Sequence, residues 1–412
     1  MRNGWTGGAY SMFRVLLGAY LLIHFVHLVP WGTEIFSSAG MLPNGSDSPL
    51  FELIPSVLSV SDSPATIAGM LLVGTIAAVF FAIGKHDKPA ALLMWYLLAC
   101  LFGRNPLIAN PALPYVGWML LAHLFIPGAP WAAFAANGRM NATDEWHMPP
   151  SIYFAAWVVL GLSYSYSGYT KLLSPSWASG DTVWYVLQNP LARDHFVREL
   201  LLWLGQDVVR WITWTILWVE LLFAPFVLFK SLRPILWGAM LIVQIGFLVL
   251  LNFADLTTPM LLFHLLTFDP AWIKPTASRT TETIYYDGHC GFCHGVVRFV
   301  LAEDRGAHFR FGPLQGSSFR NAVQEPLRDA ISETFVIIDE QGQVLTKSDA
   351  AIHILGRLGG LWTLLGLALR IVPRTLRNFA YDCVGKIRHR LGEQPDAMCP
   401  ILPAAQRARF RP

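Results

Sequence analysis

Long apolar segments recur along the first two thirds of the chain, at residues 8–29, 64–84, 89–103, 113–127, 151–170, 207–229, 234–252 and 255–268. A bilayer-crossing helix needs about 20 predominantly apolar residues, so the pattern predicts roughly eight spans. Three of them (89–103, 113–127 and 255–268) are short, as in tilted or re-entrant helices. Past Pro270–Arg279, a Pro-, Thr- and Ser-containing junction, the period changes. Thr283–Asp287 reads as a strand, His294–Ala302 as a helix and His308–Phe311 as a second strand. Thr334–Asp339 and Gln343–Thr346 flank Glu340-Gln341-Gly342, a hairpin signal. Ser348-Asp349 then caps a helix running to about Leu358. Strand, helix, strand, hairpin, helix is an α/β pattern of thioredoxin type.

Two stretches fit neither period. Lys171–Arg198 is Trp-rich and amphipathic, suited to a membrane surface or to an ordinary aromatic belt. Leu361–Val372 is apolar but too short to span. Arg370, Arg374, Arg377, Lys386, Arg388 and Arg390 accompany and follow it. That segment reads as a helix against headgroups, or equally as a solvated basic face.

Composition sharpens the division. The chain has 412 residues, is 54% hydrophobic and contains 16 tryptophans, more than a soluble protein normally carries. Of 30 Lys+Arg, 13 lie in residues 1–278, leaving 17 for the last third. A net charge of +3 without long basic runs argues against nucleic acid as a partner. The first apolar stretch holds Arg14 and lacks a small-residue cleavage site, so it reads as a retained span rather than a signal peptide. Pro30–Ser63 has acidic residues and no Lys or Arg, whereas Lys85/Lys88 and Lys230/Arg233 mark other loops as cytoplasmic. With eight spans both termini lie inside, and the soluble domain is cytoplasmic.

The chemistry is concentrated at Cys290-Gly291-Phe292-Cys293. A disulfide exchanger needs one thiolate to attack and a second thiol to close the ring and release the substrate. Two cysteines two residues apart, at a helix start after a strand, supply both. Unpaired N–H groups and the dipole at such a helix start favour thiolate over thiol. Cys290 is thus the candidate nucleophile and Cys293 the resolving thiol. Asp287 could assist proton transfer or simply cap the loop, and His289 adjoins the nucleophile. The competing reading is half of a zinc site completed from His294, Cys383 and Cys399. It lacks a second Cys-x-x-Cys or a His-x-x-x-His, and no resident metal is expected.

Several stretches carry a resemblance. Tyr286-Asp287-Gly288-His289-Cys290-Gly291-Phe292-Cys293, Phe309–Gln315, Lys347-Ser348-Asp349-Ala350-Ala351, Leu369–Arg374 and Tyr381-Asp382…Arg388, with Cys399 beyond, resemble the DCC family of thiol-disulfide oxidoreductases. The resemblance covers about residues 283–402. It implies a thioredoxin-like fold and dithiol exchange by Cys290 and Cys293, with Cys399 either a third redox cysteine or a buried thiol. Unlike thioredoxins, the chain has no proline before the strand at Thr334. Ser11-Met12-Phe13-Arg14…Gly18 with His24, Phe36–Pro43, and Tyr166–Leu172 with Trp177 and Gly180 resemble the HTTM family, the fold shared with vitamin K-dependent carboxylase. That similarity spans about residues 8–272 and places Lys171 at the carboxylase's basic lysine.

Ionisable residues inside a membrane are costly and tend to be functional. Lys171, Arg14, Arg104, Glu220 and Asp255 stand in or beside apolar segments, as functional groups or as snorkelling and ion-paired ones; His24, His27 and His123 read as satisfied core histidines. The sequence names no partner for Glu220. The expected fold is a multi-span α-helical membrane domain (1–272), a linker (273–282) and a small α/β thioredoxin-like domain (283–412). The expected function is thiol-disulfide exchange at a bacterial-type inner or plasma membrane. Its expected partners are the lipid bilayer and a protein or small-molecule thiol or disulfide, and a quinone is the candidate electron carrier. The alternatives are a membrane enzyme acting through Lys171 on a lipid, quinone or peptide, and a dithiol-gated transporter or sensor.

Overall fold

A computed structural model describes residues 3–105, 110–133, 146–276, 280–325, 328, 331, 334–388 and 407–411. The chain divides into two compact units. The first holds Ser11 onward to Phe268, and the second holds Asp269 onward together with Asn3–Tyr10, Trp146 and His147.

The first unit is helical. The eight apolar segments fall on helices: α1 (Gly7–Leu28, in this unit from Ser11), α2 (Pro64–Ala82), α3 (Asp87–Arg104), α4 (Leu113–Phe125), α5 (Pro150–Leu172), α7 (Gln206–Leu221, covering only part of its segment), α8 (Arg233–Leu250) and α9 (Ala254–Thr267). Between α5 and α7 lie two short helices and α6 (Phe196–Leu204). Among the described residues three helices (α1, α2 and α8) are long and apolar enough to cross a membrane. Their outward residues suit lipid: Ile23 is 68%, Leu72 60% and Ile242 72% exposed, and side chains of that kind in water would form an apolar patch. The apolar run 207–229 is not one helix. It breaks after Leu221 and resumes at Phe223–Val227, where the Ser165 hydroxyl accepts the Ala224 N–H at 2.8 Å. A hydroxyl from a neighbouring helix thus satisfies a backbone group near the break, as an apolar medium requires.

The second unit is a four-stranded mixed sheet in the order β2-β1-β3-β4, formed by β1 (Glu282–Tyr286), β2 (Phe309–Pro313), β3 (Val336–Ile338) and β4 (Val344–Thr346). β1 and β2 are parallel and are joined by α10 (Gly291–Glu303); β3 pairs antiparallel with both β1 and β4. All five β1 residues are buried, because both sheet faces are covered. Ile284 and Tyr286 point to one face, with Val297, Val300 and Leu301 of α10, Phe309, Phe311 and Ile337. Tyr285 points to the other, with Leu314, Phe319 and Val336. The period of two along the strand assigns these faces. At the β3–β4 turn Gly342 adopts φ +76°, a conformation open to glycine. Asp339 Oδ1 accepts the Gln341 and Gln343 N–H groups there, at 2.9 and 2.8 Å.

Among the described residues the unit also contains α11 (Ser317–Ala322) after β2, then α12 (Lys347–Leu358), α13 (Gly360–Ile371) and α14 (Arg374–Ile387). The expected Ser348-Asp349 cap of α12 does not form; Thr346 is the N-cap and offers no side-chain hydrogen bond. Helix α14 claims both side chains instead. Ser348 Oγ donates to Asn378 Oδ1 at 2.5 Å, and Asp349 accepts from Arg374 and Arg377 at 2.7 and 3.3 Å. The residue before β3 is Phe335, whose N–H donates to the Tyr381 hydroxyl at 3.2 Å.

Candidate functional site

The site grows out of the end of β1. After Tyr286 the chain turns through Asp287, Gly288 and His289 and enters α10 with Cys290 as N-cap. Cys290 Sγ accepts the N–H of Cys293 at 3.3 Å. A sulfur thus takes the capping place usually filled by a Ser, Thr, Asp or Asn oxygen. It meets one of the N–H groups that a helix start leaves unpaired. Both cysteines are only 1% exposed and are unbridged.

Their surroundings differ. Burial pushes the Cys293 thiol well above its usual pKa, and the hydrogen bond and charge of Cys290 push it the same way; the Arg388 guanidinium opposes them. Cys293 therefore keeps its proton until a base or a partner removes it.

Asp287 organises the loop. Its Oδ1 accepts the His289 N–H at 3.0 Å and the Gln315 amide at 3.1 Å, and its Oδ2 accepts from Arg388 at 3.3 Å. Gln315 in turn accepts the Gly288 N–H at 3.1 Å. Asp287 thus holds the loop through these bonds, and the same carboxylate lies near enough to act electrostatically on Cys293. The His289 side chain is exposed. His294 Nε2 lies 3.0 Å from the Gly288 carbonyl, and its ring meets Tyr286 edge-on at 5.5 Å. Among the described residues no group of three or more His, Cys, Asp or Glu side chains is placed to hold a metal. Cys383 is exposed on α14, and Cys399 lies outside the described residues.

Residues 284–394 match the family model of the DCC1-like thiol-disulfide oxidoreductases. The chain is 33% identical over 121 residues to the uncharacterized protein YuxK of Bacillus subtilis (strain 168), covering 29% of this chain and 87% of that protein. Through this domain the chain belongs to the DCC1-like family. A chloroplastic DCC family protein of Arabidopsis thaliana is 27% identical over 130 residues, 31% of this chain and 76% of the relative. No solved structure matches significantly.

Within the DCC1-like domain, two site residues escaped the sequence reading. Gln315 and Arg388 both lie in stretches that carry the family resemblance, yet nothing local ties either to Asp287. A second cluster sits at the opposite, N-terminal end of β1. Glu282, 2% exposed, accepts from His353 and Arg357 at 2.6 Å each, and Arg357 also reaches Glu340 at 2.6 Å. Its distance from the dithiol end of the strand makes it a brace of the sheet.

The five ionisable residues singled out in the apolar segments all have partners. Arg14 is fully buried and donates to the Phe81 and Ala82 carbonyls at 2.6 and 3.2 Å and to that of Ala132 at 2.6 Å. It thereby closes the C-terminal end of α2. Arg104 pairs with Asp62 at 2.9 Å and donates to the Leu42 carbonyl at 2.7 Å, tying down the loop after α1. Asp255 accepts from the Tyr20 hydroxyl at 2.9 Å, lies 3.2 Å from His24 Nδ1 and accepts from Asn110 at 3.2 Å. Glu220, 2% exposed, is ion-paired with Lys171, whose ammonium also donates to Ser167 at 3.2 Å and lies 4.9 Å from the Trp177 ring. His123 is buried with its Nε2 3.3 Å from an Asp87 carboxylate oxygen, and His27 is exposed.

Proposed function

We propose that the chain is a membrane-held thiol-disulfide oxidoreductase in which Cys290 attacks and Cys293 resolves. The observation that carries this reading is the Cys290 sulfur at the N-cap of α10, accepting the Cys293 N–H at 3.3 Å. The βαβ unit followed by a hairpin and a helix supports a thioredoxin-like assignment.

In the reducing direction the Cys290 thiolate attacks one sulfur of a substrate disulfide. The substrate S–S bond breaks, a Cys290–substrate S–S bond forms, and the departing thiolate takes up a proton. Cys293 then loses its proton and attacks Cys290 Sγ, releasing the second substrate thiolate and leaving a Cys290–Cys293 disulfide. Two electrons have passed to the substrate, and an external dithiol restores the pair. Run in reverse, the same steps oxidise a substrate dithiol, and a quinone is the carrier we assign to reoxidation in the membrane. The DCC1-like domain is assigned to the cytoplasmic side.

Rapid alkylation in native membranes tests the reading. Cys293→Ser should accumulate a mixed disulfide through Cys290, Cys290→Ser should form none, and the native pair should change mass on adding reductant or quinone. A pair that stays reduced under every condition would sink it. A second reading, an HTTM-type enzyme working through Lys171, draws on the Lys171–Glu220–Ser167–Trp177 cluster. It requires dithiol cycling and Lys171 to be separable: Lys171→Met combined with Glu220→Gln, which leaves no stranded carboxylate, would then abolish a lipid or quinone conversion while leaving thiol exchange intact.

A further inference from the structure

Helix α14 is amphipathic with its polarity reversed. Its inward side is polar: Arg377 binds Asp349, Asn378 accepts from Ser348, the Tyr381 hydroxyl accepts from Thr334 and Phe335, and Asp382 binds Lys347. Its outward side is apolar: Leu376 is 57%, Phe379 66%, Val384 41% and Ile387 47% exposed. Leu376, Phe379, Ala380, Cys383 and Ile387 follow the i, i+3, i+4, i+7, i+11 spacing of one helix stripe. The preceding helix also presents apolar side chains outward, although its inward side is apolar as well. α13 buries Leu361, Trp362 and Gly366 and leaves Leu364, Leu367 and Ile371 outward, Ile371 at 85% exposure. Exposed Arg370 and Lys386 flank this surface, as does Arg374, which also reaches Asp349.

We infer that the outward faces of α13 and α14 dock on the bilayer surface that carries anionic headgroups, in the same membrane that holds the helical unit. Three observations select lipid over another protein. The exposed residues include a large aromatic and aliphatic stripe with basic flanks, the pattern of an interfacial helix. No acidic side chain stands among the stripe residues; the one carboxylate on α14, Asp382, is half-exposed and neutralised by Lys347 at 2.8 Å. Finally, three span-length apolar helices in the same chain keep the unit at high effective concentration near a membrane, so weak interfacial affinity is enough. The docked helix runs directly into Arg388, which grips Asp287 beside the dithiol. Docking on α14 therefore sets the Asp287 loop within about one helix diameter, roughly 10 Å, of the headgroup layer. Substrates presented at that layer, such as membrane-protein thiols or amphipathic disulfides, would have preferred access.

The inference rests on the chain being embedded, and the experiment separates the two. The full chain carries p-benzoylphenylalanine at one position at a time, either Phe379, Ile387, Ile242 on α8 or Gln341 at the β3–β4 turn. Each variant is reconstituted in vesicles of phosphatidylcholine with or without phosphatidylglycerol, irradiated and read by mass. Lipid adducts are expected at Ile242 in both vesicles, at Phe379 and Ile387 most strongly with phosphatidylglycerol, and not at Gln341. Arg370→Glu with Lys386→Glu should abolish the phosphatidylglycerol dependence at Phe379. Adducts at Ile242 but none at Phe379 and Ile387 overturn the docking surface alone, as do crosslinks of Phe379 to a second copy of the chain. Loss of lipid adducts at all three positions overturns embedding and docking together.

Discussion

Arg388 holds Asp287 at 3.3 Å across 101 residues of sequence, with its positive charge also felt by Cys293. The guanidinium lowers the cost of forming the Cys293 thiolate, which burial and Cys290 both raise. Arg388→Ala should therefore slow release of the mixed disulfide, by about tenfold if the lost interaction amounts to one pK unit, ~1.4 kcal/mol. The check is the lifetime of the Cys290–substrate adduct against pH in single-turnover quench. Release should shift to higher pH in Arg388→Ala and recover in Arg388→Lys; an unchanged profile would remove Arg388 from the chemistry.

Glu282 should make the domain acid-labile. Burial alone would raise its carboxyl pKa, but the bonds from His353 and Arg357 outweigh burial and hold it below the ordinary value of 4.5. A carboxylate held low stabilises the fold above its unfolded pKa and loses that contribution as pH falls through the lower folded value. Glu282→Gln should cost about 1–3 kcal/mol at neutral pH, by leaving buried donors poorly matched. It should also flatten the acid limb of thermal stability against pH. An acid limb identical to the native one would refute the assignment.

Glu303 works in the opposite sense. It is 3% exposed and accepts from Thr6, from the Gly8 N–H at 2.9 Å and from the Trp362 indole at 2.6 Å. The approach is so close that a side-chain carbon on Gly8 would stand 2.7 Å from the carboxyl carbon. Burial pushes its pKa above 4.5 despite those three bonds. The native state then binds more protons than the unfolded chain just above pH 4.5, so stability falls as pH rises through that window. Glu303→Gln should remove this fall and stay folded, whereas Glu303→Ala should cost about 1–3 kcal/mol by orphaning the donors. Unfolding midpoints taken from mildly acidic to neutral pH distinguish the two variants.

The Lys171–Glu220 pair calls for a double-mutant cycle. Lys171→Met strands a nearly buried carboxylate and should destabilise the helical unit by about 3–5 kcal/mol; adding Glu220→Gln should recover much of that loss. Thermal unfolding in detergent reads both steps. Equal destabilisation by the single and double variants would mean the pair is not coupled.

Periodicity made much of this protein legible beforehand. The eight apolar segments, the strand before Cys290, the βαβ alternation and the hairpin at Gly342 are local patterns, each dictated by side chains within a few positions of one another. The dithiol was legible for the same reason, since its two sulfurs lie one helical turn apart. Partners were not legible, because a buried charge takes whichever group the packing brings to it. Tertiary structure alone decided that Glu220 meets Lys171, that Asp287 is gripped by Gln315 and Arg388, and that Ser348 and Asp349 serve α14 rather than capping their own helix. The reversed polarity of α14 belongs to the same class. Its sequence shows an apolar stripe and a polar one, and only the hydrogen bonds made by the polar stripe decide that the apolar one faces out.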